Sequence, residues 1–234
     1  MEKLLEQILK IPNESPKLFL KEVLLNFPDK VIFSTSFGLE DQIITHVLAT
    51  EKLNVEIFTL DTGRMFPETY STWNRTREHY KINIKAYFPQ NENVEKLLNS
   101  KGTHSFYESL ENRKECCFIR KVEPLKRALA NKKIWITGIR AEQSNSRSSM
   151  KVAEIDNENQ LIKIHPLYHW TWQDCINYAQ KNKVISNPLH DKKFLSIGCQ
   201  PCTRAIKEGE SFRSGRWWWE DTSQKECGLH ITQK

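Results

Sequence analysis

The chain has 234 residues, 38% of them apolar and 10% aromatic, and its lysines and arginines exceed its acids by 35 − 29 = 6. This composition is typical of a soluble globular protein and predicts that the bulk of the chain is folded. No apolar stretch reaches membrane-spanning length and no run of five like charges marks a nucleic-acid surface, so neither partner is expected. The N-terminus lacks a signal-peptide pattern, which predicts a cytoplasmic protein. Because structural disulfides are rare in the cytoplasm, the six cysteines are expected to bind a metal, to take part in catalysis or to pack in the core.

Hydrophobic spacing predicts alternating helices and strands along most of the chain. Helical patterns in "MEKLLEQILKIPNESPK" and in "LFLKEVLLNFP" come first, and the second ends at Pro28. A buried strand is predicted at Val31–Ser34, followed by a small-residue loop and a helix. Pro67 opens a later helix, and Thr171 caps another. The further predicted strands are "VEIFTLDTG", "INIKAYFP", "KIWITGIR" and, as a candidate fifth strand, "LIKIHPL".

This alternation predicts an α/β fold with a largely parallel sheet, whose ligand sites lie beyond the carboxyl ends of the strands. Three loops occupy such positions: "STSFG", "LDTGR" and "TGIRAEQSNSR". Residues 1–219 are expected to form one domain. Residues 220–234 are expected to form a mobile tail that carries Cys227.

Four of the cysteines form two close pairs. Cys116 and Cys117 are adjacent in "ECCFIRKVEPL", while Cys199 and Cys202 form a C-x-x-C pair in "GCQPC". Four thiolates suit either a tetrahedral zinc ion or a [4Fe–4S] cluster, and their number alone decides between neither of these. Ordinary buried cysteines are a third interpretation.

The two cations beside the adjacent cysteines, and the two remaining cysteines, can be interpreted in the same way. Arg120 and Lys121 follow the adjacent pair at helical spacing, so they could face a cluster or an anionic substrate, but spacing alone favours a solvated basic helix face. Cys227 is a candidate nucleophile or an incidental terminal thiol. Cys175, in the middle of a predicted helix, is expected to pack in the core.

Three stretches could bind an anion or a nucleotide. "STSFGLED" places hydroxyls and backbone N–H groups at a helix N-terminus, where an anion or a simple helix cap would fit. "LDTGR" could hold a ribose or adenine edge through Asp61, or form a helix-capping turn. Arg213 and Arg216 could clamp phosphate or sulfate, or stack on the neighbouring tryptophans.

Together these motifs resemble one family. "STSFGLED", "LDTGRMFPET", "ECCFIRKVEPL", "TGIRAEQSNSR", "GCQPCTR", "GRWWWE" and "KECGLH" occur in the order seen in phosphoadenylyl/adenylyl-sulfate reductases, from about Val31 to His230. The paired cysteines resemble the cluster-containing, thioredoxin-dependent assimilatory members that act on adenosine 5′-phosphosulfate (APS). The resemblance implies an adenine-nucleotide hydrolase-like, Rossmann-like fold. It also implies a [4Fe–4S] cluster bound by Cys116, Cys117, Cys199 and Cys202.

The resemblance further implies a role for each matching residue. Cys227 would attack the sulfate sulfur, so that AMP leaves and an S-sulfocysteine remains. Lys121 would lie between cluster and substrate, and Arg213 and Arg216 would hold the sulfate and phosphate oxygens. The remaining implied substrate contacts are Ser34, Thr35, Ser36, Gly38, Leu60, Asp61, Gly138, Arg147 and His230.

The implied electron donor is reduced thioredoxin, or glutaredoxin, which would release sulfite. Because the length leaves no room for a fused thioredoxin-like domain, this donor is expected to be a separate protein. The oligomeric state stays open between a monomer and a homo-oligomer.

Three alternatives compete with this interpretation. A reductase of 3′-phosphoadenylyl sulfate (PAPS) would perform the same chemistry, but members with that preference generally lack the cluster cysteines. An ATP-dependent tRNA-thiolation enzyme would carry an S-G-G-x-D-S loop, which is missing here. A zinc-stabilised nucleic-acid-binding module would explain the basic balance and the aromatic "RWWWE".

Overall fold

The structure is a computed structural model that describes residues 1–220, apart from the side chains of residues 145 and 146. Cys227 and His230 lie outside the described residues, as does the predicted tail except for its first residue, Glu220. Within residues 1–220, no helix has the combination of length and apolar character that a membrane crossing requires.

Helices and strands alternate through the described chain. The α-helices are α1 (Glu2–Leu9), α2 (Pro16–Asn26), α3 (Leu39–Thr50), α4 (Pro67–Tyr80), α5 (Asn91–Lys101), α6 (Leu110–Cys117), α7 (Glu123–Leu129), α8 (Asn145–Ser148) and α9 (Trp172–Asn182). The strands are β1 (Val31–Ser34), β2 (Glu56–Leu60), β3 (Lys85–Tyr87), β4 (Ile134–Ile136), β5 (Ala153–Asp156) and β6 (Leu161–Ile164).

The strands form one six-stranded sheet in the order β3-β2-β1-β4-β6-β5. The pairs β1–β2, β2–β3, β1–β4 and β4–β6 are parallel, and β5–β6 is antiparallel. The predicted α/β fold with a largely parallel sheet is therefore confirmed. The chain winds outward from β1 in both directions, so the carboxyl ends of β1 and its neighbours form a topological switch point, where ligands bind in such sheets.

Strand β5 is an element that the sequence pattern did not predict. It forms a hairpin with β6 whose turn is closed by Asp156, because its Oδ1 accepts hydrogen bonds from the backbone N–H groups of Glu158 and Asn159. The intervening residues are polar, which masks the short strand in a hydrophobicity pattern.

Both faces of the sheet are covered by helices. On one face a large apolar cluster joins the sheet to α2, α3 and α9, and it contains Cys175, which is fully buried as predicted. On the other face α7 packs Leu125 and Leu129 against Ile32 and Trp135. The sheet is therefore buried on both sides, and its strand ends remain as the place for a ligand.

Local capping fixes where the helices begin. Pro67 opens α4 as predicted. Thr171 caps α9 as predicted, since its Oγ1 accepts a 3.1 Å hydrogen bond from the N–H of Asp174, while its own N–H donates to the Asp174 carboxylate at 2.8 Å. Such reciprocal caps satisfy backbone groups that a helix leaves without partners.

Candidate active site

A cavity of about 210 Å³ opens at the carboxyl ends of β1, β2 and β4. The three loops that the sequence pattern singled out all contribute to it, together with residues 195–199 and 212–217. Ten of the residues predicted to bind substrate line it: Ser34, Thr35, Ser36, Gly38, Leu60, Lys121, Gly138, Arg147, Arg213 and Arg216. These side chains come from segments far apart in sequence, so the fold assembles one site from separate motifs.

The loop after β1 has a shape fixed by its own hydrogen bonds. The N–H and Oγ of Ser36 both donate to Asp41 Oδ2, at 2.6 and 2.7 Å, and the N–H of Phe37 donates to Thr35 Oγ1 at 3.1 Å. The N–H of Leu39, at the start of α3, donates to His190 Nε2 at 3.1 Å. The loop is therefore preorganised by the protein itself.

Asp41 brings a buried carboxyl group to the cavity wall. Burial raises its pKa from 3.8 to about 6, and the hydrogen bonds from Ser36 offset this only in part. Neighbouring Glu40 also raises the pKa, whereas Arg147 lowers it. Any side chain at Gly138 would overlap Asp41 Oδ1, so glycine is needed for the loop after β4 to approach α3 this closely.

A buried ionic network supports one side of the cavity. Arg140 is fully buried, and it donates from Nε to Glu40 Oε1 at 2.8 Å and from Nη1 to Glu142 Oε2 at 2.8 Å. Gln143 Nε2 donates to the same oxygen of Glu40 at 2.9 Å, and Gln143 Oε1 accepts a hydrogen bond from Arg147. Arg147 is thus held in the cavity wall through a chain of hydrogen bonds that starts at Arg140.

Arg213 and Arg216 line the cavity near the cysteines. Arg216 lies over the ring of Trp217 at 4.5 Å and donates to the carbonyl of Ile197 at 3.3 Å. A side chain at Gly198 would overlap its guanidinium. Anion binding and stacking on tryptophan were the alternatives in the sequence; Arg216 stacks on Trp217 and also lines the cavity, while anion binding stays a prediction.

The loop after β2 connects the cavity to the cysteines. Asp61 Oδ1 accepts hydrogen bonds from the N–H of Gly63 and from Tyr70 Oη, both at 2.8 Å. Asp61 thus closes its own turn, and among the described predicted contacts it is the one that does not line the cavity. Thr62 does line it, with its Oγ1 3.2 Å from Cys199 Sγ and its carbonyl accepting a 2.7 Å hydrogen bond from Arg120.

The four paired cysteines face a second, smaller cavity, which we call the cysteine cage. The cage is lined by Cys116, Cys117, Cys199 and Cys202, together with Arg64, Phe106, Arg113, Arg120, Lys121 and Trp217. Two thiols come from the end of α6, and the other two come from the turn at residues 199–202. The five cysteines of the described chain are free thiols.

The thiols of the cage differ in their electrostatic surroundings. Burial raises the pKa of Cys202 to about 12 and also raises that of Cys116. Burial would raise the pKa of Cys199 as well, but the charge of Lys121, the hydrogen bond with Thr62 and the charge of Arg216 together hold it below its ordinary value. Lys121 and Arg216 therefore favour a thiolate at Cys199.

The donor set of the cage is four thiols, the type of ligand that holds iron–sulfur clusters. Among residues 1–220, no three His, Cys, Asp or Glu side chains converge as the ligands of a single metal ion would. Four thiols line the cage, and the buried Nε of Arg120 and Nε1 of Trp217 have no hydrogen-bond partner among the described residues. Thiolates hold such clusters, and N–H groups directed at the sulfurs are a common second shell.

The chain between the two cavities contains a π-helical turn at Phe118–Val122. The N–H of Glu123 donates a hydrogen bond to the carbonyl of Phe118, five residues earlier, as in a π-helix. The next residue, Pro124, has no N–H to donate. The turn leaves Arg120 only 6% exposed, so a solvated basic face does not describe this residue. Lys121, Cys199 and Trp217 line both cavities and form their common wall.

Sequence reasoning missed three residues of this site. Thr62 follows Asp61 in a loop that was already singled out, so its hydroxyl was within reach of the same argument. Gln143 lies within the predicted loop after β4. Arg113 precedes Cys116 and Cys117 by one helical turn, and that spacing is the signal that could have found it.

Comparisons with known proteins agree with the motif pattern. Residues 30–205 match the family model described as the phosphoadenosine phosphosulfate reductase domain. The chain is 45% identical to an adenosine 5′-phosphosulfate reductase from Sinorhizobium fredii, over 87% of this chain and 81% of that protein. It is 47% identical to a protein of the same name from Burkholderia cepacia, over 87% and 82% of the two chains.

Solved structures are also similar. A crystal structure of phosphoadenylyl-sulfate reductase from Candida auris, in a phosphate complex, has 27% identity and a TM-score of 0.71, covering 88% of this chain and 95% of that one. Yeast FAD synthetase shares the fold alone, with 14% identity and a TM-score of 0.54 over 87% and 73% of the chains. The family resemblance in the sequence is confirmed by these matches, and the chain belongs to the phosphoadenosine phosphosulfate reductase domain family.

Proposed function

We propose that this protein is an adenosine 5′-phosphosulfate reductase, an oxidoreductase that converts APS into sulfite and AMP in assimilatory sulfate reduction. The observation that carries the proposal is the common wall, in which Lys121 and Cys199 line both a strand-end nucleotide cavity and the cysteine cage. The names and the 43–47% identity of relatives such as those from Agrobacterium fabrum and Burkholderia cepacia support APS as the substrate. The reaction belongs in the cytoplasm, where thiols stay reduced.

The cavity suits the two ends of APS differently. The adenosine lies beyond the ends of β1, β2 and β4, among Ser34, Leu60 and Gly138. The phosphosulfate points to the common wall, where Lys121, Arg213 and Arg216 supply positive charge. Fixed cations in a partly dry site stabilise negative charge that develops on oxygen during the reaction.

The chemical step uses Cys227, which lies outside the described residues. Its thiolate attacks the sulfate sulfur of APS, a sulfur–sulfur bond forms, and the bond from that sulfur to the bridging oxygen breaks. The bridging oxygen keeps the electron pair and leaves with AMP. Lys121, Arg213 and Arg216 bind the oxygens on which charge gathers, and Cys227 is left as an S-sulfocysteine.

A separate dithiol protein completes the reaction. One thiolate of reduced thioredoxin, or glutaredoxin, attacks Cys227 Sγ, and sulfite leaves with the electron pair of the sulfur–sulfur bond. The second thiol of the donor resolves the mixed disulfide and restores Cys227. The donor is oxidised to a disulfide, and its two electrons reduce the sulfate sulfur to sulfite.

The cysteine cage holds a [4Fe–4S] cluster in this proposal, through Cys116, Cys117, Cys199 and Cys202. When bound, the cluster supplies a compact charged group beside the sulfate end of the cavity. The Nε of Arg120 and the Nε1 of Trp217 would donate hydrogen bonds to it, and Lys121, which lines both cavities, would lie between it and the sulfate. About four irons per chain and visible charge-transfer absorption are expected.

The second candidate substrate is PAPS, because a solved relative with a TM-score of 0.71 is a phosphoadenylyl-sulfate reductase. Turnover of the two nucleotides at equal concentration distinguishes them. We expect faster sulfite release from APS, and faster release from PAPS would replace the substrate in the proposal.

The decisive experiment is the Cys227→Ser variant, assayed for sulfite with reduced thioredoxin. We expect sulfite release to fall below detection while APS affinity stays within about twofold of wild type, since a catalytic nucleophile is lost without a binding contact. Cys175→Ala, which removes a buried core thiol that lines neither cavity, should retain sulfite release. Full activity of Cys227→Ser would refute the mechanism.

A further inference from the structure

A buried arginine holds the last described residue against the cysteine cage. Arg113 is 1% exposed and binds Glu220 with two hydrogen bonds, from Nε to Oε1 at 2.8 Å and from Nη2 to Oε2 at 2.7 Å. The Glu220 side chain is itself only 9% exposed. This bidentate geometry fixes both the position and the direction of the carboxylate.

The same pair touches both halves of the cage. Arg113 lies on α6 one turn before Cys117, lines the cage, and stacks over the ring of Trp217 at 4.7 Å. The N–H of Glu220 donates to the carbonyl of Trp217 at 2.9 Å, and the N–H of Trp217 donates to the carbonyl of Cys202 at 3.1 Å. Glu220 is therefore linked to the Cys116–Cys117 pair through its side chain and to the Cys199–Cys202 pair through the backbone.

A second pair in the same part of the chain provides a comparison. Arg204 binds Glu210 with two hydrogen bonds of 2.7 Å, so its geometry is nearly the same. Its side chains are 31% and 26% exposed, and neither residue lines the cage. The Arg113–Glu220 pair thus differs in its burial and in what it anchors.

We propose that the Arg113–Glu220 pair is a positioning device that fixes where the C-terminal segment leaves the cage, and thereby sets the effective concentration of the Cys227 thiolate at the sulfate. This inference rests on the proposed function. Residues 221–226 separate Glu220 from Cys227, so the two α-carbons can be at most about 25 Å apart. Trp217 lies in the common wall of the two cavities, and Glu220 is bonded to it, so the anchor fixes the residue from which this segment starts close to that wall.

Loss of the anchor should therefore slow transfer without weakening substrate binding. A tethered reactive group has a high effective concentration at its target only while the attachment point of the tether is fixed nearby. Neither Arg113 nor Glu220 lines the nucleotide cavity, so AMP affinity should not depend on the pair. A residue needed only for folding would affect both properties together.

The test is Glu220→Gln, which keeps the size of the side chain but removes the charge and one acceptor. The protein is mixed with APS in the absence of a reductant, and the S-sulfocysteine on Cys227 is followed by quenched-flow mass spectrometry. We expect transfer to slow about tenfold or more, with AMP affinity and iron content within about twofold of wild type. Glu210→Gln is the matched control and should transfer at the wild-type rate.

Glu220→Asp provides a second measurement, because it keeps the charge but shortens the side chain by one methylene. Its transfer rate should fall between those of wild type and Glu220→Gln. Equal rates in all three proteins would overturn the inference alone, as would a parallel loss of AMP binding and iron in Glu220→Gln. Absence of the adduct in wild type would instead overturn the proposed function, and the inference with it.

Discussion

Asp41 is buried, and burial disfavours the ionised form of its carboxyl group. Its pKa is raised to about 6 by burial, and it shares the cavity wall with Glu40. A phosphosulfate entering this cavity therefore meets less negative charge when Asp41 is protonated. Because the pKa of Asp41 in the folded state lies above its ordinary value of 3.8, the stability that it contributes is fully present below about pH 4 and is lost as the pH rises through 6.

We expect the affinity for APS to increase on acidification from pH 7.5 to pH 5.5. Binding can be measured by calorimetry with the Cys227→Ser variant, in which APS is not consumed. An increase of about tenfold corresponds to ~1.4 kcal/mol of relieved repulsion between like charges. In the double variant with Asp41→Asn, which keeps an acceptor for Ser36, the pH dependence should be largely lost. An unchanged profile in the double variant would mean that another group titrates.

Arg140 joins three elements around the nucleotide cavity. It pairs with Glu40 at the start of α3 and with Glu142 after β4, and it stacks between Trp172 of α9 and Phe212, at 5.6 and 5.2 Å. Since Phe212 immediately precedes Arg213, Arg140 contacts both the loop after β4 and the segment that carries Arg213.

Arg140→Met should lower the free energy of unfolding by about 3–5 kcal/mol, because Glu40 would keep a buried charge without its partner. AMP affinity should fall as well, since Arg147 is held through Gln143 and Glu40. Chemical denaturation and calorimetry measure the two effects. As a control, Arg127→Met breaks an exposed helix pair with Glu123 and should change stability by less than about 1 kcal/mol. Similar losses in both variants would contradict this view of Arg140.

The features of the molecule that could be predicted from the sequence are those that depend on local sequence and on the general geometry of a parallel sheet. The loops after β1, β2 and β4 were identified because a parallel sheet gathers the carboxyl ends of its strands at one edge. Asp61 could not be resolved in this way, because the choice between a ligand contact and its own turn depends on Tyr70, which lies in another element. Arg120 looked solvated from its basic neighbours, and its burial follows from tertiary contact with Thr62.

The cysteine cage brings thiols from the end of α6 close to those of residues 199–202, so the proposed cluster would tie these two distant segments together. Cys202→Ser would remove one ligand of the proposed cluster. We expect loss of iron and faster hydrogen exchange in residues 194–220, including the Trp217 amide bonded to Cys202 and the Arg204 amide bonded to Gly215, while the sheet keeps its protection. Hydrogen-exchange mass spectrometry of the iron-loaded wild type and the variant measures this directly.

Cys175→Ala supplies the control for this experiment, because it truncates a fully buried cysteine in the main core between the sheet and α9. A core cavity lowers the stability of every element that unfolds with the core, so its effect on exchange should spread through the sheet. A bound group that ties one segment to the rest protects chiefly that segment. If Cys202→Ser accelerated exchange in the strands as much as in residues 194–220, the cage would unfold together with the core. The prediction that it stabilises residues 194–220 locally would then be wrong.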